Sequence, residues 1–494
     1  MRRTHEQHEE TAGGSAFEAS EAGGKIGSRP ETKTSADEKS VDGSTSVRPE
    51  GAGVLPALRV SENRRYLETE NGEPFFWLGD TAWELFHRLS LEDAAYYLRT
   101  RAEQGFTVVQ VVLLAELGGV TVPNAGGRLP LKIGAGGLPD PARPDTDGSD
   151  SYWHHVDAVL DEASRLGLYV ALLPTWGDKF NRMHGAGPEI FTADNARGYG
   201  RWLGQRYGDR PGLVWVLGGD RPLSTAAHFA VVNAMARGLK TGGARQLMTF
   251  HPKGAESSSH HMHEEDWLDF NMIQSGHGER DITNDKRVAA DYGRTPVKPT
   301  LDAEPCYEDI PIGFRPENGY FDEADVRRAA YYAVLSGAFG HTYGHHSIWP
   351  MVPEPGLYAS TDFRDPGAFF LMSWQQALRR PGAKQMIHLR TLIEPHLGPL
   401  FRPAPELPAF VFSGDNRLVA ARGEKAAWIY IPNGLYVELD PKRVGIEAWR
   451  ANWFCPRTGA RSKASGTDAG GGIVRYAAPT SGRGCDWILT IEEE

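Results

Sequence analysis

Eight short apolar runs mark the chain from about residue 64 onward. They are PFFWLGD (74–80), TVVQVVLLAE (107–116), LYVALLPTW (168–176) and LVWVLGGD (213–220), then LMTFHP (247–252), FNMIQSGHG (270–278), KPTLDAEP (298–305) and FGHTYGHHSIW (339–349). The first four place apolar residues at consecutive positions, as strands buried on both faces do, and the last four are shorter and more polar. Between the runs lie segments of helical period, at 90–105, 151–167, 192–208, 224–240 and 322–337. The first has Ser90 as N-cap, Asp93 at the third helical position and Gly105 as its stop, a capping-box arrangement. Strand and helix repeated eight times predict an α/β fold, a closed (β/α)8 TIM barrel over residues 57–398. An open doubly wound sheet is the competitor. It would carry a glycine-rich dinucleotide turn after the first strand, where this chain reads Gly79-Asp80-Thr81-Ala82.

The pattern changes after about residue 400. AFVFSGDNRLVAARGEKAAWIYIPNG alternates in polarity and turns at Gly-Asp-Asn, Gly-Glu-Lys and Pro-Asn-Gly, and WRANWFCPRTG and CDWILTIEE continue it. This predicts a small antiparallel β-sandwich over 399–494. It gathers no titratable cluster, so its expected role is support or ligand binding rather than chemistry, and the simpler expectation is a cap packed against the barrel. Residues 1–56 are rich in Glu, Ser, Gly, Thr and Lys with Phe17 as the single aromatic, and are expected to be disordered.

A parallel barrel builds its active site at the carboxyl ends of its strands. In order, those ends read Asp80, Glu116, Trp176, Asp220, His251, His277, Glu304 and the His341–Trp349 stretch. Asp220 closes the fourth strand and Glu304 the seventh, facing each other across the mouth. Two converging carboxyl groups are what glycoside hydrolysis needs, one to protonate the departing oxygen and one to attack carbon or activate water. Gly218 and Gly219 are expected to let the backbone approach the ligand, with Arg221 pairing to a nearby carboxylate. Asp302 is expected one layer below Glu304 on the same face, as its partner. Asp80, Glu116, His251 and His345 are candidates for binding sugar hydroxyls, and Trp176, Tyr343 and Trp349 for stacking. Trp77 and Trp83 read as core.

Composition narrows the classes. The net charge of −11 argues against a nucleic-acid partner. Thirteen tryptophans and seventeen tyrosines suit a carbohydrate substrate. Cys306, Cys455 and Cys485 make no disulfide framework, although Cys455 and Cys485 lie where they can pair. No run is long enough to span a bilayer and no leader is visible after Met1, so the expectation is cytoplasmic, or secreted or periplasmic if the true start lies elsewhere. The histidines of HHMHEED (260–266), with His261 and His263 on one side, and the pair His345-His346 raise a metal-dependent hydrolase. Without HExxH or a cysteine pair of zinc spacing, no metal and no cofactor are expected. A non-catalytic carbohydrate-binding barrel is the other alternative. Sugar identity and oligomeric state are not legible.

NGEPFFWLGDTAWELFHRLSLEDAAYYLRTRAEQGFTVVQVVLLAEL (71–117) closely resembles the apiosidase-like glycoside hydrolases, and WVLGGDRP (215–222), LDAEPCYE (301–308) and GHTYGHHSIWPM (340–351) are similar to further blocks of that family. The resemblance spans roughly residues 60–494. It implies a bacterial (β/α)8 barrel with a C-terminal β domain that carries a collagen-binding label, and release of apiose, a branched furanose, from a pectic polysaccharide. It also implies Asp220 as acid/base and Glu304 as nucleophile. Where related barrel glycosidases have Asn-Glu, this chain has Gly219-Asp220.

Overall fold

A computed structural model describes residues 55–494 apart from 184, 282 and 356–365. Of the tail expected to be disordered, residues 1–54 lie outside the described residues. Each of the eight apolar runs contains one parallel strand: β1 Trp77–Thr81, β2 Val108–Val112, β3 Tyr169–Leu173, β4 Leu213–Gly218, β5 Met248–His251, β6 Asn271–Gln274, β7 Thr300–Asp302 and β8 Gly340–Tyr343. Every residue of all eight is buried, which is why the sequence shows runs rather than alternation. Their order in the sheet is β5-β4-β3-β2-β1-β8-β7-β6, with β8 paired parallel to β1. A sheet that runs consecutively and joins its first strand to its last is a barrel, whereas a doubly wound sheet reverses direction at its switch point.

The barrel is closed except along one seam. Between β5 and β6 three separate bonds replace the strand ladder. Met248 N donates to Asp269 Oδ2 at 2.7 Å, Asp269 N to Met248 O at 2.8 Å, and Thr249 Oγ1 to Phe270 O at 2.7 Å. A two-residue antiparallel strand, Glu256–Ser257, adds itself to β6.

Among the described residues the α-helices longer than four residues are α1 Leu91–Glu103, α2 Tyr152–Arg165, α3 Ala193–Tyr207, α4 Ala226–Gly242, α5 Asn284–Tyr292, α6 Glu323–Leu335 and α7 Pro381–Ile393. The expected eightfold repeat fails between β5 and β6, which are linked by a single 3-10 turn at Ser258–His260. The physical reason is legible in KGAESSSHHMHEEDWLD (253–269), which lacks an apolar period of 3.6. The α1 cap is half a box. Ser90 Oγ accepts from Asp93 N at 3.1 Å, and the Asp93 carboxylate accepts from the Ser90 hydroxyl rather than from its backbone.

The C-terminal part holds β9 Arg402–Pro403, β10 Val419–Arg422, β11 Ala426–Ile431, β12 Tyr436–Leu439, β13 Trp449–Phe454, β14 Arg461–Lys463, β15 Gly466–Gly470, β16 Ile473–Ala477 and β17 Trp487–Glu493. A six-stranded sheet (β9-β10-β11-β17-β13-β14) faces a three-stranded one (β12-β16-β15). Alternation along β11 shows how it is used. Ile429 and Ile431 join Leu489, Val437 and Leu439 between the sheets, while Trp428 and Tyr430 join the barrel's own core. The sandwich therefore caps the barrel, on α6, which is buried from Asp325 to Leu335. Tyr331 stacks on Tyr430 at 5.1 Å and 7°. Arg327, itself buried, grips Asp486 through two bonds of 2.7 and 3.1 Å. Cys455 and Cys485 are unpaired, as is Cys306. No helix among the described residues is long and apolar enough to cross a membrane.

Candidate active site

The end of β4 sets the position of the first acid. Gly218, Gly219 and Asp220 all have positive φ, at 92°, 116° and 52°. The glycines are required by neighbouring backbone. A Cβ on Gly218 would lie 2.5 Å from His251 O, and one on Gly219 2.8 Å from Gly177 N. Gly219 N donates to His251 O at 3.2 Å and Gly219 O accepts from Gly177 N at 3.1 Å, so β4 is clamped between the ends of β3 and β5. Asp220 takes up the left-handed conformation without glycine's freedom, at a cost of about 1–2 kcal/mol. Its side chain remains 29% exposed, open to the mouth. The buried Arg221 donates to Asp220 O at 2.8 Å and Oδ2 at 3.2 Å, and its other terminal nitrogen bonds Glu116 Oε1. Behind them Lys179 Nζ lies 2.7 Å from Asp178 Oδ1, a fully buried pair.

Glu304 follows β7 and is 5% exposed. Two histidines flank it. His277 Nε2 lies 3.3 Å from Oε1. His251 Nε2 lies 2.8 Å from Oε2, an ion-pair contact with the N–H off the oxygen's line. The other His251 nitrogen is 2.9 Å from Pro252 O, so this ring meets two acceptors. Trp83 and Trp176 pack on the His251 ring at 5.4 and 5.7 Å, forming an aromatic floor. Tyr307 packs on His277 at 4.4 Å with its hydroxyl turned to Glu304. Asp220, His251, His277 and Glu304 thus come from β4, β5, β6 and β7 in turn, an arc around the seam. The two acids lie three strand positions apart with imidazoles between them.

These surroundings drive the two acids in opposite directions. Burial pushes Glu304 up, but hydrogen bonding and charge from His251 and His277 outweigh it and bring the carboxyl down to about 2. Burial, followed by the negative charge of Glu304, holds Asp220 above the usual carboxyl range against the pull of Arg221 and His251. This arrangement favours the ionised form of Glu304 and makes Asp220 the one of the two that holds its proton to higher pH, the ordering that suits a nucleophile or base and an acid. Burial also raises Glu116 to about 7, with Arg221 opposing.

Residues 61–397 match the family model described as "Apiosidase-like, catalytic domain". The chain belongs to this family. Residues 411–492 match a second model, "Putative collagen-binding domain of a collagenase". A glycoside hydrolase family 5 protein of Bacteroides vulgatus, known from a crystal structure, is 30% identical, with a TM-score of 0.79 over 89% of this chain and 95% of its own. A second solved structure, described as a glycoside hydrolase, is also 30% identical, with a TM-score of 0.79 over 89% of this chain and 97% of its own. No curated protein matches the chain. The protein is therefore an apiosidase-like glycosidase, and its substrate is a carbohydrate.

Of the positions singled out in sequence, the apiosidase-like barrel gathers Asp220, Glu304, His251, Trp176 and Glu116 at the mouth. Asp80, Tyr343 and His345 point elsewhere. Asp80 is wholly buried on the helix side of β1, accepting from Tyr97 OH and Arg101 Nε at 2.6 Å each. Tyr343, paired with Asp80 in register, donates to Glu308 Oε2 at 2.6 Å. Buried His345 pairs with Asp309 at 3.0 Å. Trp349 is half-buried and bonds His346 Nδ1 at 3.2 Å. Asp302 also faces the helices, accepting from Ser275 Oγ at 2.8 Å and Asn284 Nδ2 at 2.9 Å, so it does not sit beneath Glu304. Two histidines of the 260–266 stretch are engaged as well. His261 contacts Glu256 at 3.0 Å and His263 contacts Asn271 at 3.1 Å. Among the described residues no group of three or more His, Cys, Asp or Glu is placed to hold a metal. His277 was read in sequence as a polar strand end without a role, Tyr307 was passed over, and Trp83 was read as core. The sixth-strand ending and the LDAEPCYE block were the available signals for the first two.

Proposed function

We propose that this glycosidase cleaves a furanosidic bond, of apiose or a related pentose, in plant-derived oligosaccharides and retains configuration. Ionised Glu304 attacks the anomeric carbon as the bond to the leaving oxygen breaks, and Asp220 gives its proton to that oxygen. Asp220 then takes a proton from water, which attacks the same carbon and releases Glu304. The observation that carries this reading is the placing of two carboxyls at the ends of β4 and β7, Glu304 flanked by His251 and His277 and Asp220 by Arg221. Glu116, Arg221 and the Trp83–Trp176 floor supply hydroxyl contacts and an apolar face beside them.

The test is incubation with a panel of plant oligosaccharides, identifying the released sugar by chromatography and following its first-formed anomer by NMR. A pentose with the substrate's own anomeric configuration is expected. An inverted product would recast Glu304 as the base that activates water, and release of hexoses alone would overturn the furanoside assignment. Glu304→Gln is expected to remove turnover while leaving the melting temperature close to wild type.

A further inference from the structure

The His277 imidazole has a neighbour on each side. It meets Glu304 at 3.3 Å and also pairs edge-to-face with Phe314, at 5.7 Å between centroids and 89° between planes. Phe314 lies in the loop between β7 and α6 and is 56% exposed, so its ring adds little to the core. Its φ is 61°, directly after Gly313 at 64°. A bulky residue in this region is an outlier, and such conformations persist only where the surroundings over-determine them, often at ligand clamps. The surroundings here do so. Gly313 N donates to His277 O at 2.8 Å, Phe314 N to Pro311 O at 2.9 Å and Ile312 N to Gly319 O at 3.0 Å. Asn318 Nδ2 donates to Ile312 O at 3.0 Å, and the Ile312 side chain is buried as an anchor.

The turn is thus tied to the loop that carries His277, and its exposed ring is fixed in advance. An edge-to-face pair uses at most one face of Phe314, and among the described residues no other ring packs on it. Sugar rings present faces made of C–H groups, which cover an aromatic face in water and gain from its quadrupole. One imidazole separates this ring from Glu304, a step comparable with one sugar residue.

We propose that Phe314 is the stacking platform of a second sugar-binding subsite, holding the sugar next to the one cleaved at Glu304. The inference rests on the two-carboxylate reading above and extends it from a single glycoside to an oligosaccharide. A left-handed backbone provides an unusual control, because Phe314→Gly removes the ring while relieving the conformation. That variant is expected to melt at or above the wild-type temperature. Its KM for an apiose-ended trisaccharide is expected to rise about tenfold or more with kcat little changed, while kcat/KM for methyl apioside stays within about twofold. Phe314→Trp is expected to restore the trisaccharide KM. Equal losses on both substrates, or no loss on the trisaccharide, would overturn the subsite. If the wild-type protein cleaves no pentoside, the furanoside reading falls separately. Calorimetric binding of manno- and cello-oligosaccharides then tests the subsite, and Phe314→Gly must again weaken the longer ligands selectively or the proposal fails.

Discussion

A carboxylate removed from water needs donors or it takes up a proton. Glu304 finds two imidazoles and stays ionised, whereas Asp220, with Glu304 near it, is driven the other way. His277→Phe should keep the packing on Tyr307 while deleting the donor to Glu304. With less to favour the charged form, the Glu304 pKa should climb from about 2, and the acidic limb of the kcat/KM profile should move to higher pH. An unchanged acidic limb would show that His277 is not the tuning group. A second residue makes a pH prediction for stability. His341 is buried with both ring nitrogens unpartnered, and burial lowers it to about 3. The unfolded chain binds this proton below about pH 6.5 and the folded chain does not, so His341 costs stability as pH falls through that window. In paired melts, His341→Leu should gain on wild type by about 2 kcal/mol between pH 7 and pH 5. A gap that does not change with pH would contradict the assignment.

Elements were easier to read than the faces of those elements. All eight strands were legible because strands buried on both sides are continuously apolar, and that same continuity hid which face each residue serves. Thr342 points inward to Trp77 Nε1 at 3.0 Å, so its neighbour Tyr343 points to the helices, as does Asp80 beside it in register. Polar strand ends therefore suggested Asp80 and Tyr343 as ligand contacts, when period-two geometry had already turned them outward. Asp220 and Glu304 lie past the last ladder residue of their strands, where loop backbone rather than strand period sets direction. The α3–α4 pair was read as two helices, but its glycines have a use that only packing reveals. A Cβ on Gly204 would lie 2.3 Å from Leu239 O, and one on Gly242 2.3 Å from Arg201 O. The helices touch backbone to backbone. Gly204→Ala gains helix propensity of about 1 kcal/mol but overpacks the contact, and should lower stability by about 1–3 kcal/mol in urea titration. A stabilised variant would mean the pair can separate without loss.

At the scale of the whole molecule, the described residues of barrel and sandwich form one compact unit. The link is α6, which carries the chain away from the loop of Glu304, Tyr307 and Phe314 and lays Tyr331 on Tyr430. Asp486 is the hub, contacted by Arg327 at 2.7 Å, Arg457 at 3.2 Å and Tyr430 OH at 3.2 Å. Asp486→Ala leaves the Arg327 charge buried without its partner and should cost about 3–5 kcal/mol. Calorimetry should show one transition in both proteins, at lower temperature in the variant. Two separate transitions in the wild type would mean the halves melt independently.

The join between the halves also bears on how such proteins are inherited and handled. A gene trimmed near residue 398 would encode both Asp220 and Glu304, yet its product would present the outer surface of α6, including Tyr331 and Tyr332, naked to solvent. Such a fragment belongs in inclusion bodies. Attaching the barrel to an unrelated partner would leave the same surface uncovered unless that partner offered a matching apolar face.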